Sequence, residues 1–282
     1  MARRLPGPPV EILTADSMQV YRGMDVGTAK PTAEEQAEVP HHLLDLAEPS
    51  DDFSVARFRE AADEVLHDIE QRGHRALLVG GTGLYVQAVL DRLEPPGRWP
   101  DTKAELETDP DTEALWARLH ALDPVAAGRM NPTNRRRVVR ALEVTLGSGR
   151  PFSSFGPGMT AWPATRFRMA GVWLPRPVVA RRIAARFGTM LERGLLDEVE
   201  VLRQHPLSRT AHQALGYKEL LAFKAGDCSL EQATETAIKR TTTLARRQRV
   251  WFRRDPRITW YGAPENPAAV APALLGDWSR CS

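Results

Sequence analysis

The apolar positions of this chain switch repeatedly between two periods. Val10 to Ala15 is a short, mostly apolar run and predicts a strand. Residues 31–39 are polar, with Glu34, Glu35 and Glu38, and predict a short exposed helix. Behind Ser54, a suitable N-cap, Val55, Phe58, Ala62, Val65, Leu66 and Ile69 recur at helical spacing until Gly73 ends the run. Residues 75–79 have a buried-strand pattern, and a second helix runs from the glycines after them to Leu90. Residues 94–110 are Pro-rich and polar and predict a boundary rather than an element. Beyond it come an amphipathic helix over 112–122, a turn at Asp123 with another helix, a break at Asn131–Asn134, and a helix over 135–144. Residues 147–163 are loop-like. Residues 168–174 predict a strand, followed by a helix that Pro177 opens. Residues 213–218 form a glycine turn into a helix, Ser229 to Gln232 have a capping-box pattern, and a long helix follows to about Arg253. Residues 258–261 are the last strand, ahead of a Pro/Ala-rich tail. Strands alternating with helices predict an α/β fold with a parallel sheet. The run of helices predicts a helical insertion over 96–160, with core parts over 1–95 and 161–282.

Composition narrows the class. The chain has 282 residues, 42% hydrophobic and 26% charged, as expected of a soluble globular protein. No apolar run reaches the ~18 residues of a membrane span, and residues 1–9 lack the apolar stretch of a signal peptide. Cys228 and Cys281 are far apart, which argues against a disulfide framework and suits a reducing cytoplasm. The net charge of +2 conceals an asymmetry: residues 239–257 carry +7, leaving −5 on the rest. Such a strip is an electrostatic footprint for phosphate, unless it is only a solvated helix face.

The candidate chemistry gathers at predicted strand ends, where open α/β sheets bind ligands. Asp16 and Ser17 follow the first strand, and a carboxylate there can accept a proton from an incoming nucleophile. Gly23 and Gly27 shape a tight loop that Lys30 closes with a positive charge. Gly80-Gly81-Thr82-Gly83 stands between strand and helix, a generic anion-binding geometry, though the glycines could serve packing alone. Together these predict two loops on one edge of one sheet. Arg182 and Arg186, four apart, share a helix face and could clamp a diphosphate or pair with surface acids; the pattern does not decide. Arg246, Arg247, Arg249 and Arg253 interleave with Trp251 and Phe252, a combination able to hold phosphates and stack on splayed bases. His41 and His42 are adjacent and cannot share one strand face, so no metal site is expected there.

The run Thr14 to Lys30 (T-A-D-S-M-Q-V-Y-R-G-M-D-V-G-T-A-K) resembles the strand-two motif of tRNA dimethylallyltransferases, P-loop-related enzymes that prenylate an adenosine beside the anticodon. Pro40 to Asp45, Gly80 to Tyr85, the Asn…Arg-Arg-…-Arg-Ala-Leu-Glu run near 134–143 and the closing Arg-Arg-Gln-…-Trp-Phe-Arg near 246–253 are similar to further motifs of that family, in its order. The resemblance covers nearly the whole chain. It implies a P-loop-NTPase-like parallel sheet flanked by helices, with a helical insertion. It implies transfer of a dimethylallyl group from dimethylallyl diphosphate to N6 of the adenosine 3′ of the anticodon, in tRNAs reading codons that start with U. It implies Asp16, Thr82 and Arg186 as catalytic residues, and Ser17, Met18, Gln19, Gly80, Gly81 and Arg182 against substrate. It implies tRNA contacts from Arg136, Arg137, Val138, Val139 and Arg140, from Gln213, Gly216, Tyr217 and Lys218, and from Arg246, Arg247, Gln248, Arg249, Val250, Trp251, Phe252 and Arg253. Mg²⁺ is the implied cofactor, with no side chain assigned to it, and the tRNA anticodon stem-loop the implied partner of a cytoplasmic monomer.

Two departures stand out. Thr242 and Thr243 occupy the place of a basic pair in the family. No G-x-x-x-x-G-K-[ST] precedes the first strand, and residues 1–6 read as the tail of a helix, so the chain is expected to begin one βα unit late. On that expectation the 282 residues as written bind prenyl diphosphate poorly, and a chain extended upstream is active. Two rival readings stay open: a P-loop-type small-molecule kinase or adenylate prenyltransferase, and a non-catalytic tRNA-binding fragment.

Overall fold

The computed structural model describes residues 7–156 and 158–279; the helix tail read at residues 1–6, and Cys281, lie outside them. In chain order the elements are β1 (Val10–Ala15), α1 (Ala33–Glu38), β2 (His41–His42), α2 (Val55–Gln71), β3 (Arg75–Gly80), α3 (Gly83–Leu90), α4 (Pro100–Thr108), α5 (Thr112–Leu122), α6 (Pro124–Gly128), α7 (Arg135–Ser148), β4 (Met169–Trp173), α8 (Arg176–Glu192), α9 (Leu195–Leu202), α10 (Arg209–His212), α11 (Tyr217–Ala225), α12 (Leu230–Phe252), β5 (Ile258–Gly262) and α13 (Ala271–Ser279). They divide into two units, one of residues 7–91 and 164–279, the other of residues 92–163. Among the described residues no helix is long and apolar enough to cross a membrane.

In the larger unit β1 lies between β2 and β3, and both pairings are parallel. The β1–β3 register runs unbroken from Val10 opposite Arg75 to Ala15 opposite Gly80. With a strand on each side, β1 is buried almost throughout, and Leu13 and Ala15 share one core with Phe58 and Ala62 of α2. β3 is not the buried strand its sequence suggests. Among the described residues it pairs only with β1, its other edge has no partner, and Val79 is 48% exposed. A second parallel pair joins β4 to β5, from Met169 opposite Ile258 to Trp173 opposite Gly262.

α2 follows its spacing closely. Ser54 accepts the Arg57 N–H as N-cap, and Phe58, Ala62, Leu66 and Ile69 are all buried. Phe58 stacks on Tyr85 of α3, ring centroids 4.0 Å apart, which ties α2 to the helix that follows the glycine turn. Arg257, just after α12, spans Asp255 and Asp91, the C-cap of α3. Both carboxylates are buried from solvent at the side chain, so the guanidinium between them is held well above its ordinary range, first through Asp255.

The smaller unit has its own core of Leu106, Leu115, Leu119, Ala127, Val138, Val139, Ala141 and Leu142. The stretch read as a bare boundary contains α4: Pro100 sits in its first turn and Leu106 is buried against the other helices. One apolar anchor in a polar sequence leaves no periodicity to read. Asp123 caps α6 through the Ala126 N–H and also accepts from the Ser153 N–H and hydroxyl. Burial raises that carboxyl, and these hydrogen bonds reverse the effect and lower it.

β1 carries one charged residue into the core. Glu11 is 3% exposed and receives His42 and His74, each at 2.6 Å, and Arg72 at 2.9 Å. Burial pushes the carboxyl up; the hydrogen bonds from His42, His74 and Arg72, with the Arg72 charge, outweigh it and hold Glu11 at about 2 against an ordinary 4.5. A carboxyl lowered by folding stabilises fully above its unfolded value, and that stability is lost as pH falls from about 4.5 toward 2. The shift corresponds to roughly 3 kcal/mol. Glu11→Gln should therefore lower urea-denaturation stability at pH 7 by that order and flatten the decline of stability between pH 4.5 and 3. An acid limb identical to the parent's would contradict this.

Candidate functional site

The register of β1 and β3 brings two loops to one edge. Gly80 approaches β1 so closely that a Cβ there would lie 2.2 Å from the Ala15 carbonyl oxygen. Immediately beyond, the Thr82 N–H donates to that same oxygen at 3.2 Å. The Thr82 hydroxyl oxygen accepts the Ser17 N–H at 3.0 Å and lies 3.3 Å from the Ser17 hydroxyl. Thr82 is the N-cap of α3, yet its side chain makes no bond to its own helix. The hydroxyl is engaged across the edge instead, tying one loop to the other. Asp16, half-buried, accepts the Met18 N–H at 2.8 Å through one carboxylate oxygen. That Asx turn fixes the carboxylate at the exit of β1. The charge of Asp16 also contributes, after burial and Tyr21, to pushing the Tyr85 phenol above its ordinary range. Asp16, Ser17 and Thr82 are thus brought together as the sequence predicts.

The loop after them is pinned from several sides. Gln19 donates its amide to the carbonyls of Thr28 and Ala29 at 3.0 and 3.2 Å. Lys30 does not present its charge to a ligand. Its ammonium, on a side chain 4% exposed, is enclosed by the Tyr21 carbonyl, Asp25 and Asp45 at 2.8, 2.5 and 2.6 Å.

The end of α12 packs onto the glycine turn. A Cβ on Gly81 would come within 2.3 Å of the Gln248 amide nitrogen, and one on Gly83 within 2.2 Å of the Trp251 indole nitrogen. Only glycines let α12 approach this closely. Gln248 and Trp251, expected against RNA, are seated on the loop that carries Thr82. Arg249 lies over the Trp173 ring at 5.0 Å. Arg246, Arg247 and Arg253 are exposed, and Val250 is 51% exposed. Phe252 is half-buried. The hydroxyls of Thr242 and Thr243 bond the Ile238 and Lys239 carbonyls one turn back, a local use that leaves them no phosphate to hold.

Other predicted residues separate by burial. Arg182 and Arg186 are exposed on α8 and have no ion-pair or hydrogen-bond partner among the described residues, whereas neighbouring Arg181 pairs with Glu265. On α7, Arg136 and Arg137 are exposed, but the Val138 and Val139 side chains are buried in the core of the insertion. Arg140 is engaged internally by Glu143 and by the Pro96 and Gly97 carbonyls. At the Gly-Tyr-Lys turn, Gln213 is exposed and accepts from the Lys218 ammonium at 2.8 Å. Gly216 and Tyr217 are buried, and the Tyr217 side chain belongs to the core of the larger unit. Burial first, then the adjacent Glu198 carboxylate, push its phenol far above the ordinary range.

Glu198 itself escaped the sequence reading. It lies on α9, which follows Gly194 and buries Leu195, Val199 and Leu202; neither this helix nor its carboxylate was read from the sequence. Among the described residues no three His, Cys, Asp or Glu side chains group in a way that could hold a metal ion.

Thr82→Val keeps the shape and removes the hydroxyl. It is expected to cost about 1–2 kcal/mol by leaving the Ser17 N–H unpaired, while Thr82→Ser retains most of the parent's stability in the same urea titration. Equal stabilities for Thr82→Val and the parent would show that the loop-to-loop bond holds nothing.

A family model described as IPP transferase matches residues 19–255. A tRNA dimethylallyltransferase of Thermobifida fusca is 47% identical over 267 residues, covering 92% of this chain and 83% of the relative. The crystal structure of a tRNA isopentenylpyrophosphate transferase from Bacillus halodurans superposes with a TM-score of 0.68 at 36% identity, covering 99% of this chain and 92% of that one. A eukaryotic dimethylallyltransferase acting on tRNA has the same fold, with a TM-score of 0.80 at 24% identity over 99% of this chain and 75% of its own. The matched span contains Gln19, the glycine turn and the whole of α12, and the chain belongs to the tRNA dimethylallyltransferase family.

Proposed function

We propose that Asp16 is the general base in transfer of a dimethylallyl group to N6 of an adenosine 3′ of the anticodon, in tRNAs reading codons that begin with U. Dimethylallyl transfer to tRNA is the activity of the family to which the chain belongs. The observation that carries the site assignment is the meeting of Asp16, Ser17 and Thr82 at the carboxyl edge of β1 and β3.

The exocyclic amine is a poor nucleophile because its lone pair is delocalised into the ring. In the proposed step the N6–carbon bond forms as the allylic carbon–oxygen bond of dimethylallyl diphosphate breaks. The N6 proton passes to Asp16, and diphosphate leaves with the bonding electrons. Thr82 and Ser17 orient the amine. Arg186, with Arg182 one turn away on the same exposed face, neutralises the leaving diphosphate; their lack of internal partners supports this. Among the described residues no three His, Cys, Asp or Glu side chains gather into a cage for Mg²⁺; an ion arriving with the diphosphate would supply further charge neutralisation of the leaving group. Arg136 and Arg137 on the insertion, and Arg246, Arg247 and Arg253 on α12, are the exposed cations that meet tRNA phosphates. The protein is proposed to work as a cytoplasmic monomer.

Asp16→Asn and Asp16→Ala should lower single-turnover prenyl transfer to bulk tRNA by about 10²- to 10⁴-fold, the usual worth of a positioned base, while tRNA affinity stays within about threefold. Normal transfer by Asp16→Ala would end the assignment. Preference for AMP over tRNA as acceptor would favour the adenylate prenyltransferase reading. Replacing Arg246 and Arg247 by Gln should weaken tRNA binding and reduce the slope of log affinity against log salt by roughly 1–2.

A further inference from the structure

We propose that Glu198 is a positioning residue for the active-site loop, acting through the backbone of residues 25–27; this rests on the functional reading above. Three consecutive N–H groups, of Asp25, Val26 and Gly27, point at its carboxylate at 2.9, 2.7 and 3.0 Å. The Tyr217 hydroxyl adds a fourth donor at 2.5 Å to the oxygen that Gly27 also uses. Successive backbone N–H groups of this kind make an anion-binding concavity. Here the anion is a side chain of α9, reaching the loop across about 170 residues of sequence.

The fit depends on Gly27. A Cβ there would meet the Tyr217 ring at 2.6 Å, so the phenol can reach Glu198 only because the loop carries no side chain at that point. Tyr217 is 2% exposed and Gly27 half-buried, which places much of the network out of water, where charge-assisted bonds are strongest.

The loop transmits the restraint toward the chemistry. Residues 25–27 continue into Thr28 and Ala29, whose carbonyls hold the Gln19 amide. Gln19 follows Met18, whose N–H is bound by Asp16. The path from Glu198 therefore runs through one short loop to the segment that carries the proposed base. Lys30 fixes the far end of the same loop to Asp25 and Asp45. Glu198 touches no reacting atom; it supplies the charge on which the backbone is organised.

Glu198→Gln keeps the size and removes the charge, leaving one oxygen for four donors. Glu198→Asp keeps the charge on a shorter arm, and Tyr217→Phe removes only the phenol donor. In the full chain, hydrogen–deuterium exchange of a peptide spanning residues 22–31 should accelerate about tenfold or more in Glu198→Gln, while a peptide covering β1 keeps the parent's protection. Transfer to tRNA should fall about tenfold or more in kcat/KM, be partly rescued in Glu198→Asp, and fall by a smaller factor in Tyr217→Phe. Unchanged exchange of the 22–31 peptide would overturn the proposal. So would a rate loss no larger than the loss of folded protein, or equal losses in Glu198→Gln and Glu198→Asp. If the parent transfers no prenyl group to any tRNA, the functional reading fails; the exchange experiment still decides whether Glu198 organises the loop.

Discussion

The close approach of β3 to β1 at Gly80 is the constraint from which the site follows. Because no side chain stands there, the two strands stay paired to their last residues and the Ala15 carbonyl can accept the Thr82 N–H. Parallel strands ending level with one another deliver their following loops to the same place. That is why a carboxylate at position 16 and a hydroxyl at position 82 meet. Any larger residue at position 80 would have to push the Ala15 backbone away, and the two loops would part.

A second layer of constraint comes from the C-terminal half of the chain. α12 lays Gln248 and Trp251 against the glycine turn, and α9 sets Glu198 into the backbone of the loop opposite. The residues that resemble an RNA-binding motif therefore divide their labour. The arginines at 246, 247 and 253 face solvent, and Gln248 and Trp251 hold the turn that carries Thr82. A basic strip and a packing face share one helix because 3.6 residues per turn send neighbouring positions in different directions.

Much of this was legible in the sequence, for definable reasons. The spacing of Phe58, Ala62, Leu66 and Ile69 announces a helix with one buried face, and the helix is there. Strand ends followed by Asp-Ser and by Gly-Gly-Thr-Gly announce two loops on one edge. What escaped has equally physical causes. α4 buries only Leu106, too little apolar surface to set up a period. Val79 reads as buried because its residue type is apolar, but strand type says nothing about how many edges are paired. Tyr217 and Val138 lie beside cationic residues in sequence, but their own side chains are buried, since side-chain direction is set by the helix and not by the motif. Glu198 meets the backbone of residues 25–27 only after about 170 residues of chain have folded back, a distance no local pattern spans.

Lys30 has a consequence for the chemistry of the protein's own surface. Its amine is enclosed by two carboxylates and a carbonyl on a side chain almost withdrawn from water. An acylating or reductively alkylating reagent needs an accessible nitrogen lone pair, and here the nitrogen's donors are committed in three directions. Lys30 should stay unlabelled under conditions that derivatise an open ammonium group such as that of Lys239. An arginine could not replace it quietly either, because a planar five-donor fork does not fit a cage shaped around a single point charge.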